Sequence, residues 1–294
     1  MTDLPPGLRQ CALAPDDAER AVRLSDGAGW NQSLEDWRMM LTVGSGVGIE
    51  DEAGSLLASA LILPYGAAVA AGAPPISWIS MVLTAEPWRR RGLARRLMQD
   101  RMAELRSRGL MPVLDATPAG HAVYSKLGFR DGLMLERMQG DVPKVPEAPP
   151  GIEVSPLRDI ADIAAADAAA FGTDRSAILS FVRAQAPDLA FVARHGGRLA
   201  GHVLVRRGRR MPHLGPVVAD DAPVAVALLG AVLRSAPAGK PIIMDVFAHQ
   251  SDFRAAAIAA GFVALRPFTR MHLGDQPPHA DATRLFAAAG PELG

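Results

Sequence analysis

The stretch that decides the fold begins Ile76-Ser-Trp-Ile-Ser-Met-Val-Leu-Thr84 and continues through Arg89-Arg90-Arg91-Gly92-Leu93-Ala94 into a long run that ends at Gly109. The first segment is apolar on both faces, which predicts an interior strand covered on two sides. Pro87 cannot donate to a central ladder, so the strand ends before it. From Gly92 the apolar residues recur at helical spacing, and glycine at 109 ends the helix. The sequence therefore predicts a strand, a basic loop and a helix.

The loop between this strand and helix has the features of an anion site. Backbone N–H groups at a helix N-terminus point toward a ligand, and the helix dipole favours negative charge there. Gly92 allows the backbone to approach a ligand closely, and the arginines at 89–91 add positive charge. The expected ligand is a phosphate or pyrophosphate, although a solvated basic loop before an ordinary helix is the alternative. Neither a Walker A loop nor the Gly-x-Gly-x-x-Gly dinucleotide fingerprint is present.

Two motifs carry a resemblance to a known family. Arg89-Arg90-Arg91-Gly92-Leu93-Ala94 resembles the acetyl-CoA-binding motif of the GNAT N-acetyltransferase superfamily, Gln/Arg-x-x-Gly-x-Gly/Ala. Downstream, Thr117 to Phe129 resembles the later segment of the family, which usually ends Tyr-x-x-x-Gly-Phe and here ends Tyr124-Ser-Lys-Leu-Gly128-Phe129. The motifs cover about residues 76–130 in a family-like order and separation. The resemblance implies that the first half is a GNAT domain, which uses acetyl-CoA as co-substrate and no metal.

The resemblance also implies which residues bind the co-substrate. In the family, backbone N–H groups of a bulged central strand hold the acetyl and pantetheine part, and the matching residues are Val82, Leu83 and Thr84. Nothing in the sequence itself indicates a bulge. The loop and helix start would bind the pyrophosphate through Arg89, Arg90, Arg91, Gly92, Leu93, Ala94 and Arg95.

Acetyl transfer to an amine needs a donor and an acceptor of protons. Tyr124 matches the family tyrosine that often protonates the departing thiolate, and a phenol with a pKa of about 10 is able to do so. A tyrosine that only packs is the alternative. Glu86, which follows the central strand, is the predicted base, and Asp115 at the end of the neighbouring strand is a comparable carboxylate. Either carboxylate could act directly or through water, or be a solvated loop charge.

The acceptor site is predicted from three regions. In the resemblance, the loop that contains Trp30 and Asn31 borders the acceptor, although a core tryptophan and a helix-start asparagine are the alternatives. Asp115 ends a strand beside the central one, and Asp245 is a comparable strand-end carboxylate in the second half that would face the same cleft. We therefore predict Trp30, Asn31, Asp115 and Asp245 as substrate-binding residues.

Composition limits the other possibilities. The chain has 294 residues, which is enough for two domains with their own cores. Because 31 basic residues balance 31 acidic ones, global charge favours neither nucleic acid nor an anionic membrane as a partner. Cys11 is the single cysteine, which excludes an intrachain disulfide and a cysteine-rich zinc site. No apolar run approaches a membrane span, so we expect a cytoplasmic protein. We expect it to be a monomer or a homodimer.

The second half repeats the first. Gly128-Phe129 is followed by Arg137-Met138, and Gly261-Phe262 is followed at the same spacing by Arg270-Met271. The proline-rich residues 141–151 have no helical or alternating pattern and read as a linker. We therefore predict a domain at 1–140, which we call copy one, a linker at 141–151, a second domain at 152–274, which we call copy two, and a tail at 275–294. In copy two, 156–170 is predicted to be an alanine-rich helix.

The copies differ where the chemistry would lie. Copy two has Asp220-Asp221-Ala222-Pro223 in place of the arginine-glycine loop, and two carboxylates would repel a pyrophosphate. The predicted fold is α/β, with two tandem GNAT-like domains that each have a mixed, mostly antiparallel sheet flanked by helices. Copy one would transfer an acetyl group to an amine of a small molecule or peptide by direct attack in a ternary complex. The alternatives are a transferase for a longer acyl-CoA and a CoA-binding sensor without turnover.

Overall fold

The structure is a computed structural model that describes residues 4–141, 144–237 and 239–294. Val142 and Pro143 of the predicted linker therefore lie outside the described residues, as do positions 1–3 and 238 of the two predicted domains. Within the described residues the chain forms thirteen β-strands: β1 Leu8–Leu13, β2 Ser45–Asp51, β3 Leu56–Pro64, β4 Ile76–Thr84, β5 Met111–Ala116, β6 Arg130–Gly140, β7 Ile152–Pro156, β8 Phe191–His195, β9 Arg198–Arg206, β10 His213–Ala219, β11 Ile242–Phe247, β12 Val263–His272 and β13 Leu285–Ala288. The same residues form eight α-helices: α1 Ala18–Gly27, α2 Leu34–Val43, α3 Leu93–Ser107, α4 Pro118–Lys126, α5 Ala164–Phe171, α6 Ser176–Gln185, α7 Ala222–Ser235 and α8 Ser251–Ala259.

The two copies have the same order of elements. Copy one runs β1-α1-α2-β2-β3-β4-α3-β5-α4-β6, and copy two runs β7-α5-α6-β8-β9-β10-α7-β11-α8-β12. Strand β13 follows in the tail and has no counterpart in copy one. The mixed α/β architecture and the tandem repeat predicted from the sequence are confirmed.

The strands of both copies form one continuous sheet. Its order is β1-β2-β3-β4-β5-β12-β6-β11-β13-β10-β9-β8-β7. Strand β12 of copy two pairs antiparallel with β5 of copy one, and β6 of copy one pairs antiparallel with β11 of copy two. Each copy therefore gives its last strand to the other. Residues 141–151 separate the copies along the chain, but the strand exchange joins them in space.

Helices cover both faces of the sheet. On one face, which we call the α3 face, Ile79 of β4 packs in a cluster with Met98 and Leu105 of α3. On the opposite face, the α1 face, Met81 and Leu83 of β4 share a core with residues of α1, α2, α5 and α6. Side chains of β4 thus enter two separate cores, as the apolar pattern of this strand predicts. Ile79 and Met81 are two residues apart yet lie on opposite faces, so the regular alternation of the strand is interrupted between them.

Strand β4 pairs with β5 over only part of its length. The two strands are parallel, and the pairs run from Ile76–Met111 to Trp78–Val113. Met81 has a left-handed backbone conformation with φ +51°, and the register against β3 shifts at this point. This irregularity bends β4 away from β5. Beyond Trp78 and Val113, the described residues of the two strands form no pairs, which leaves a wedge that we call the gap.

Local side-chain contacts define the starts of two helices. A capping box is present at the start of α2, because Ser33 and Asp36 each accept a hydrogen bond from the backbone N–H of the other. The predicted helix at 156–170 is wrong over its first half. Leu157 N donates to Ala190 O and prolongs the sheet contact, and Asp159 caps a short 3-10 turn. The helix proper, α5, begins only at Ala164.

Candidate active site in copy one

The gap between β4 and β5 is open to solvent in copy one. The side chain of Asp115 is fully buried, yet the residue as a whole is partly exposed. The exposed atoms of Asp115 are therefore main-chain atoms. Since the other edge of β5 is paired with β12, these atoms face the gap. The gap thus offers unpaired backbone groups of β4 and β5 to a ligand.

The corresponding gap in copy two is filled by the protein itself. Strand β13 lies between β10 and β11, where Ala287 pairs with both Val217 and Val246, and Ala288 pairs with Asp245. Asp245 corresponds to Asp115 in the repeat and is completely buried. The tail thus occupies in copy two the space that copy one leaves open.

The basic loop leads into a helix start that no side chain caps. Gly92 is the N-cap of α3 with φ +82°, a conformation that glycine adopts at little cost. The first N–H groups of an α-helix have no partner inside the helix, and among the residues that the structure describes no side chain caps them. Arg89, Arg90 and Arg91 are exposed beside them, and Arg91 lies over the Trp88 ring at 4.7 Å. The helix dipole, free N–H groups and guanidinium groups together form a site for a phosphate-type anion.

The equivalent helix start in copy two is closed. The carboxylate of Asp221 accepts a hydrogen bond of 3.0 Å from Val224 N, and Pro223 has no N–H to offer. Asp220 forms an ion pair of 2.7 Å with Arg284 from the tail. A phosphate would meet two carboxylates here instead of free donors.

Tyr124 lies on α4, on the α3 face beside the gap. The helix starts at Pro118 because Thr117 caps it by accepting from Gly120 N at 3.1 Å. The Tyr124 ring is half-buried in the cluster that contains Val82 of β4 and Ala116 of β5. Burial raises the pKa of the phenol above its ordinary value. The hydroxyl is therefore protonated throughout the neutral range and is able to donate a proton.

Copy two has no tyrosine at the corresponding position. Phe129 N donates to Tyr124 O in copy one, and Phe262 N donates to Ala257 O in copy two, so Ala257 occupies the equivalent place. Its methyl group has no proton to donate.

Glu86, the predicted base, lies in a short 3-10 turn that directly follows β4. It is exposed, and its carboxylate has no hydrogen bond or ion pair with any residue in the described ranges. The structure thus places Glu86 at the open end of the central strand, beside the basic loop.

Asp115 and Asp245 each bind an arginine of the other copy. Arg270 of β12 binds Asp115 through two hydrogen bonds of 2.9 Å, and Arg137 of β6 binds Asp245 through two of 2.8 Å. Burial raises the pKa of Asp115, although Arg270 opposes the rise. Burial alone would also raise the pKa of Asp245, but Arg137 and His213 outweigh it and the pKa lies below its ordinary value. Sequence reasoning missed both arginines, although they are the repeated Arg-Met residues.

Trp30 and Asn31 lie in the α1–α2 loop of copy one, which is hydrogen-bonded to copy two. The Asn31 side chain donates to Met211 O at 2.9 Å and accepts from Arg210 N at 2.9 Å and Met211 N at 3.1 Å. Trp30 is half-buried and packs against the core on the α1 face. The Asn31 amide thus joins the α1–α2 loop of copy one to the β9–β10 loop of copy two.

The end of the tail is buried on the α1 face next to β4. Trp78 Nε1 donates to Pro291 O at 2.9 Å, and Tyr65 OH donates to Leu293 O at 2.7 Å. Glu292 forms an ion pair with Arg206 of copy two. The tail therefore fills the copy-two gap with β13 and then reaches the first residues beside the copy-one gap.

Comparisons with known proteins agree with this geometry. Residues 12–131 and 163–287 each match a family described as acetyltransferase (GNAT) domain. The uncharacterised N-acetyltransferase YitH of Bacillus subtilis is 23% identical over 262 residues, which cover 87% of this chain and 85% of that protein. The holothin acyltransferase of a Pseudoalteromonas strain is 26% identical over 220 residues, which cover 74% and 73% of the two chains.

Solved structures have the same fold. A candidate acetyltransferase from Pyrococcus horikoshii superposes with a TM-score of 0.78 at 20% identity, over 100% of this chain and 98% of that chain. A tandem GNAT protein from the clavulanic acid biosynthesis pathway superposes with a TM-score of 0.63 at 16% identity, over 92% and 100% of the two chains. With a GNAT match in each half, the chain belongs to the GNAT acetyltransferase family in its tandem form, and it is an acyltransferase.

The described ranges contain neither a candidate membrane-spanning helix nor a candidate metal cluster. No helix there is long and apolar enough to cross a membrane. No cluster of three or more histidine, cysteine, aspartate or glutamate residues there has the arrangement of a metal site.

Proposed function

We propose that copy one is an acetyl-CoA-dependent N-acetyltransferase and that copy two binds no CoA. The observation that carries the proposal is the contrast between the two gaps. Copy one combines an open gap, an uncapped basic helix start and a tyrosine. In copy two the gap is filled by β13, the helix start is capped by Asp221, and alanine replaces the tyrosine.

The basic loop binds the diphosphate part of the co-substrate. The N–H groups at the start of α3, from Leu93, Ala94 and Arg95, donate to phosphate oxygens. Arg89, Arg90 and Arg91 add charge-assisted contacts, since arginine matches the geometry of phosphate. A ligand on this loop extends along the α3 face into the gap, because α3 begins at the end of β4.

The gap holds the pantetheine arm and the acyl group. Backbone groups of the segment Val82, Leu83 and Thr84 that face the gap donate to and accept from the arm, as a neighbouring strand would. Acetyl-CoA supplies an activated thioester carbonyl to this site. Donors that are already fixed in the strand stabilise the charge that develops on its oxygen without reorganisation.

Two residues are assigned to the proton transfers: one donates a proton to the departing sulfur, and one accepts a proton from the amine. Tyr124 protonates the departing sulfur, because it lies on the α3 face beside the gap and its pKa is raised. Glu86 is the proposed base, because it is exposed at the end of β4 and no other group binds its carboxylate. Asp115 is less suited to be a base, because Arg270 already engages both of its oxygens.

The acceptor amine enters from the α1 face. Because the thioester arrives along the α3 face, direct attack brings the amine to the carbonyl carbon from the opposite side. We assign Trp30, which packs against the core on the α1 face, to the acceptor side together with Asn31 and Asp115. Asp245 contributes at a distance to the raised pKa of Asp115. The acceptor class is an amine of a small molecule or peptide. We place the enzyme in the cytoplasm, as a monomer or homodimer.

Two measurements test the proposal. Calorimetric titration with acetyl-CoA gives affinity and stoichiometry, and we expect one molecule per chain. Thiol release from acetyl-CoA is then measured across a panel of polyamines, amino acids, aminoglycosides and peptides. Release with at least one amine supports the transferase, whereas binding without release from any of them supports a sensor. The same assay with propionyl- and butyryl-CoA tests a longer acyl group, which the name of the holothin acyltransferase relative leaves open.

A further inference from the structure

A single guanidinium from copy two touches both strands that border the copy-one gap. Arg270 binds the carboxylate of Asp115 on β5 through Nε and Nη2, each at 2.9 Å. Its Cζ also lies 4.6 Å from the centre of the Trp78 ring on β4. Trp78 forms the last pair between β4 and β5. The guanidinium therefore lies where the two strands begin to separate.

The contacts of Arg270 are buried and specific. The exposed fraction of its side chain is 8%, and that of the Asp115 side chain is 0%. A planar guanidinium that binds a carboxylate through two parallel hydrogen bonds fixes both its distance and its orientation. Stacking on the indole then fixes the plane of the guanidinium relative to β4. The separation of β4 from β5 at this point is thus set by a residue on the exchanged strand β12.

Copy two contains a matched arrangement that lacks the open gap. Arg137 of β6 binds Asp245 of β11 through two hydrogen bonds of 2.8 Å, and its side chain is 11% exposed. Its position in the repeat is the same as that of Arg270. The neighbouring gap is filled by β13, which pairs with β11 at Asp245 itself. The two arginines therefore share residue type, partner and burial, and differ in whether the adjacent gap is open.

We infer that Arg270 is a positioning residue for the acyl-CoA site, through which copy two sets the width of the gap in copy one. This inference rests on the proposed function. It explains what the inactive copy contributes: its last strand carries the group that holds Asp115 and Trp78 in place. Binding of the pantetheine arm depends on the separation of β4 and β5. The phosphate loop lies at the far end of β4, so binding of the phosphates does not depend on this separation.

The test compares Arg270→Lys with Arg137→Lys. Lysine keeps the charge but loses the bidentate geometry and the planar stacking. Two ligands are titrated into each protein by calorimetry: acetyl-CoA and adenosine 3′,5′-bisphosphate, a nucleotide fragment without the pantetheine arm. We expect Arg270→Lys to weaken acetyl-CoA about tenfold, the effect of one or two misplaced hydrogen bonds, and to leave the fragment unchanged. Arg137→Lys should leave the affinity of both ligands unchanged.

The outcomes separate the inference from the proposed function. An unchanged acetyl-CoA affinity in Arg270→Lys, an equal loss in both variants, or an equal loss for both ligands would overturn the positioning role. Absence of acetyl-CoA binding to the wild-type protein would instead overturn the proposed function, and the inference with it. If thermal melts show that Arg270→Lys does not fold, the same comparison is made between Trp78→Phe, which weakens the stacking on Arg270, and Arg137→Lys.

Discussion

Copy one and copy two share their framework and differ at three places that surround the gap. The helix start is uncapped at Gly92 in one and capped by Asp221 in the other. Tyr124 is matched by Ala257, and the open gap is matched by one that contains β13. All three differences lie at the carboxyl ends of the central strands. The comparison shows that the fold does not require the site features of copy one. The residues that form these features differ from the residues that build the sheet and the cores.

Copy one depends on the framework of copy two for strand pairing. Strand β12 supplies the only neighbour of β5 on its outer edge among the described residues. Without it, β5 would expose a row of unpaired backbone groups at the centre of the molecule. The Asp115–Arg270 pair would also be lost, and an uncompensated buried carboxylate would remain.

The largest expected effect comes from charge at the uncapped helix start. Gly92→Glu should weaken acetyl-CoA by about a thousandfold, because a like charge about 4 Å from a phosphate costs up to roughly 4 kcal/mol near a protein surface. A Cβ at Gly92 would meet no atom within 4 Å, so the variant should fold despite φ +82°. Calorimetric titration measures the loss.

Two controls make this a comparison of the copies. Gly92→Ala imposes the same backbone strain without the charge, and its loss should be much smaller. Pro223→Glu adds an acid to the exposed helix start of copy two and should leave acetyl-CoA affinity unchanged. Wild-type-like affinity in Gly92→Glu would remove the loop from the binding site.

The next effect concerns the tyrosine of copy one. Tyr124→Phe should lower kcat by about 10²-fold, the usual size of general acid catalysis, and leave acetyl-CoA affinity nearly intact. A general acid is active while protonated, so activity falls as pH rises through its pKa. Since burial raises that pKa, the alkaline limb should lie above about pH 10 and should change in the variant. Steady-state kinetics with an amine acceptor measures both.

A purely structural hydroxyl predicts a different result for Tyr124→Phe. Stability would fall by about 1 kcal/mol, and turnover per folded molecule would stay the same. An unchanged kcat in folded variant would thus exclude Tyr124 as the proton donor.

A smaller effect, on the free energy of unfolding, is expected from the buried ion pairs of copy two. Asp167 binds Arg175 at 2.8 and 3.0 Å and His202 at 3.1 Å, all fully buried. Burial alone would raise the pKa of Asp167, but Arg175 and His202 outweigh it and the pKa lies below its ordinary value. Asp167→Asn should therefore lower the free energy of unfolding by about 2 kcal/mol at neutral pH, as measured by urea denaturation.

The sign of the pH dependence follows from the lowered pKa. The stabilisation from Asp167 is complete above the unfolded pKa of about 3.9 and is lost as pH falls through the lower folded value. The wild-type protein should therefore lose stability below about pH 4 more steeply than Asp167→Asn. Ser25→Ala, which removes the neutral bond from Trp37 in copy one, should cost about 1 kcal/mol with no such dependence. Parallel pH profiles for wild type and Asp167→Asn would contradict the linkage.

The last prediction is that changing the loop of copy two leaves the number of acetyl-CoA molecules bound per chain unchanged. Asp220→Arg combined with Asp221→Gly removes both carboxylates from the copy-two loop and introduces an arginine and a glycine. We expect acetyl-CoA still to bind once per chain, because β13 continues to fill the gap. Calorimetry gives the stoichiometry, and a value of two would show that the loop alone separates the copies.

Much of the fold could be predicted from local patterns. The ends of the central strand β4 could be predicted, because its apolar run stops before Pro87. The repeated Gly-Phe and Arg-Met residues revealed the two copies. Strand β1 was missed because Leu8–Leu13 mixes polar and apolar residues at the edge of the sheet.

The rest depended on contacts between distant residues. The strand exchange cannot be read from the hydrophobic pattern of β6 or β12. An antiparallel neighbour from either copy is compatible with the same pattern of apolar and polar residues. The bulge at Met81 has no sequence signal either. The sequence predicts Asp115 and Asp245 as site carboxylates, but their arginine partners lie more than a hundred residues away along the chain. The paired repeat of aspartate and arginine was the one available signal for them.

The strand exchange also dictates the order in which the molecule can be completed during synthesis. A ribosome releases β5 and β6 long before it releases β11 and β12, so the first half emerges with two central edges and no partners. Domains usually fold one after another as they emerge, but this chain cannot close its first half until residue His272 is available. During that interval the nascent chain carries an exposed strand edge of the kind that aggregates. The edges of β5 and β6 are covered only when β11 and β12 of the second half pair with them.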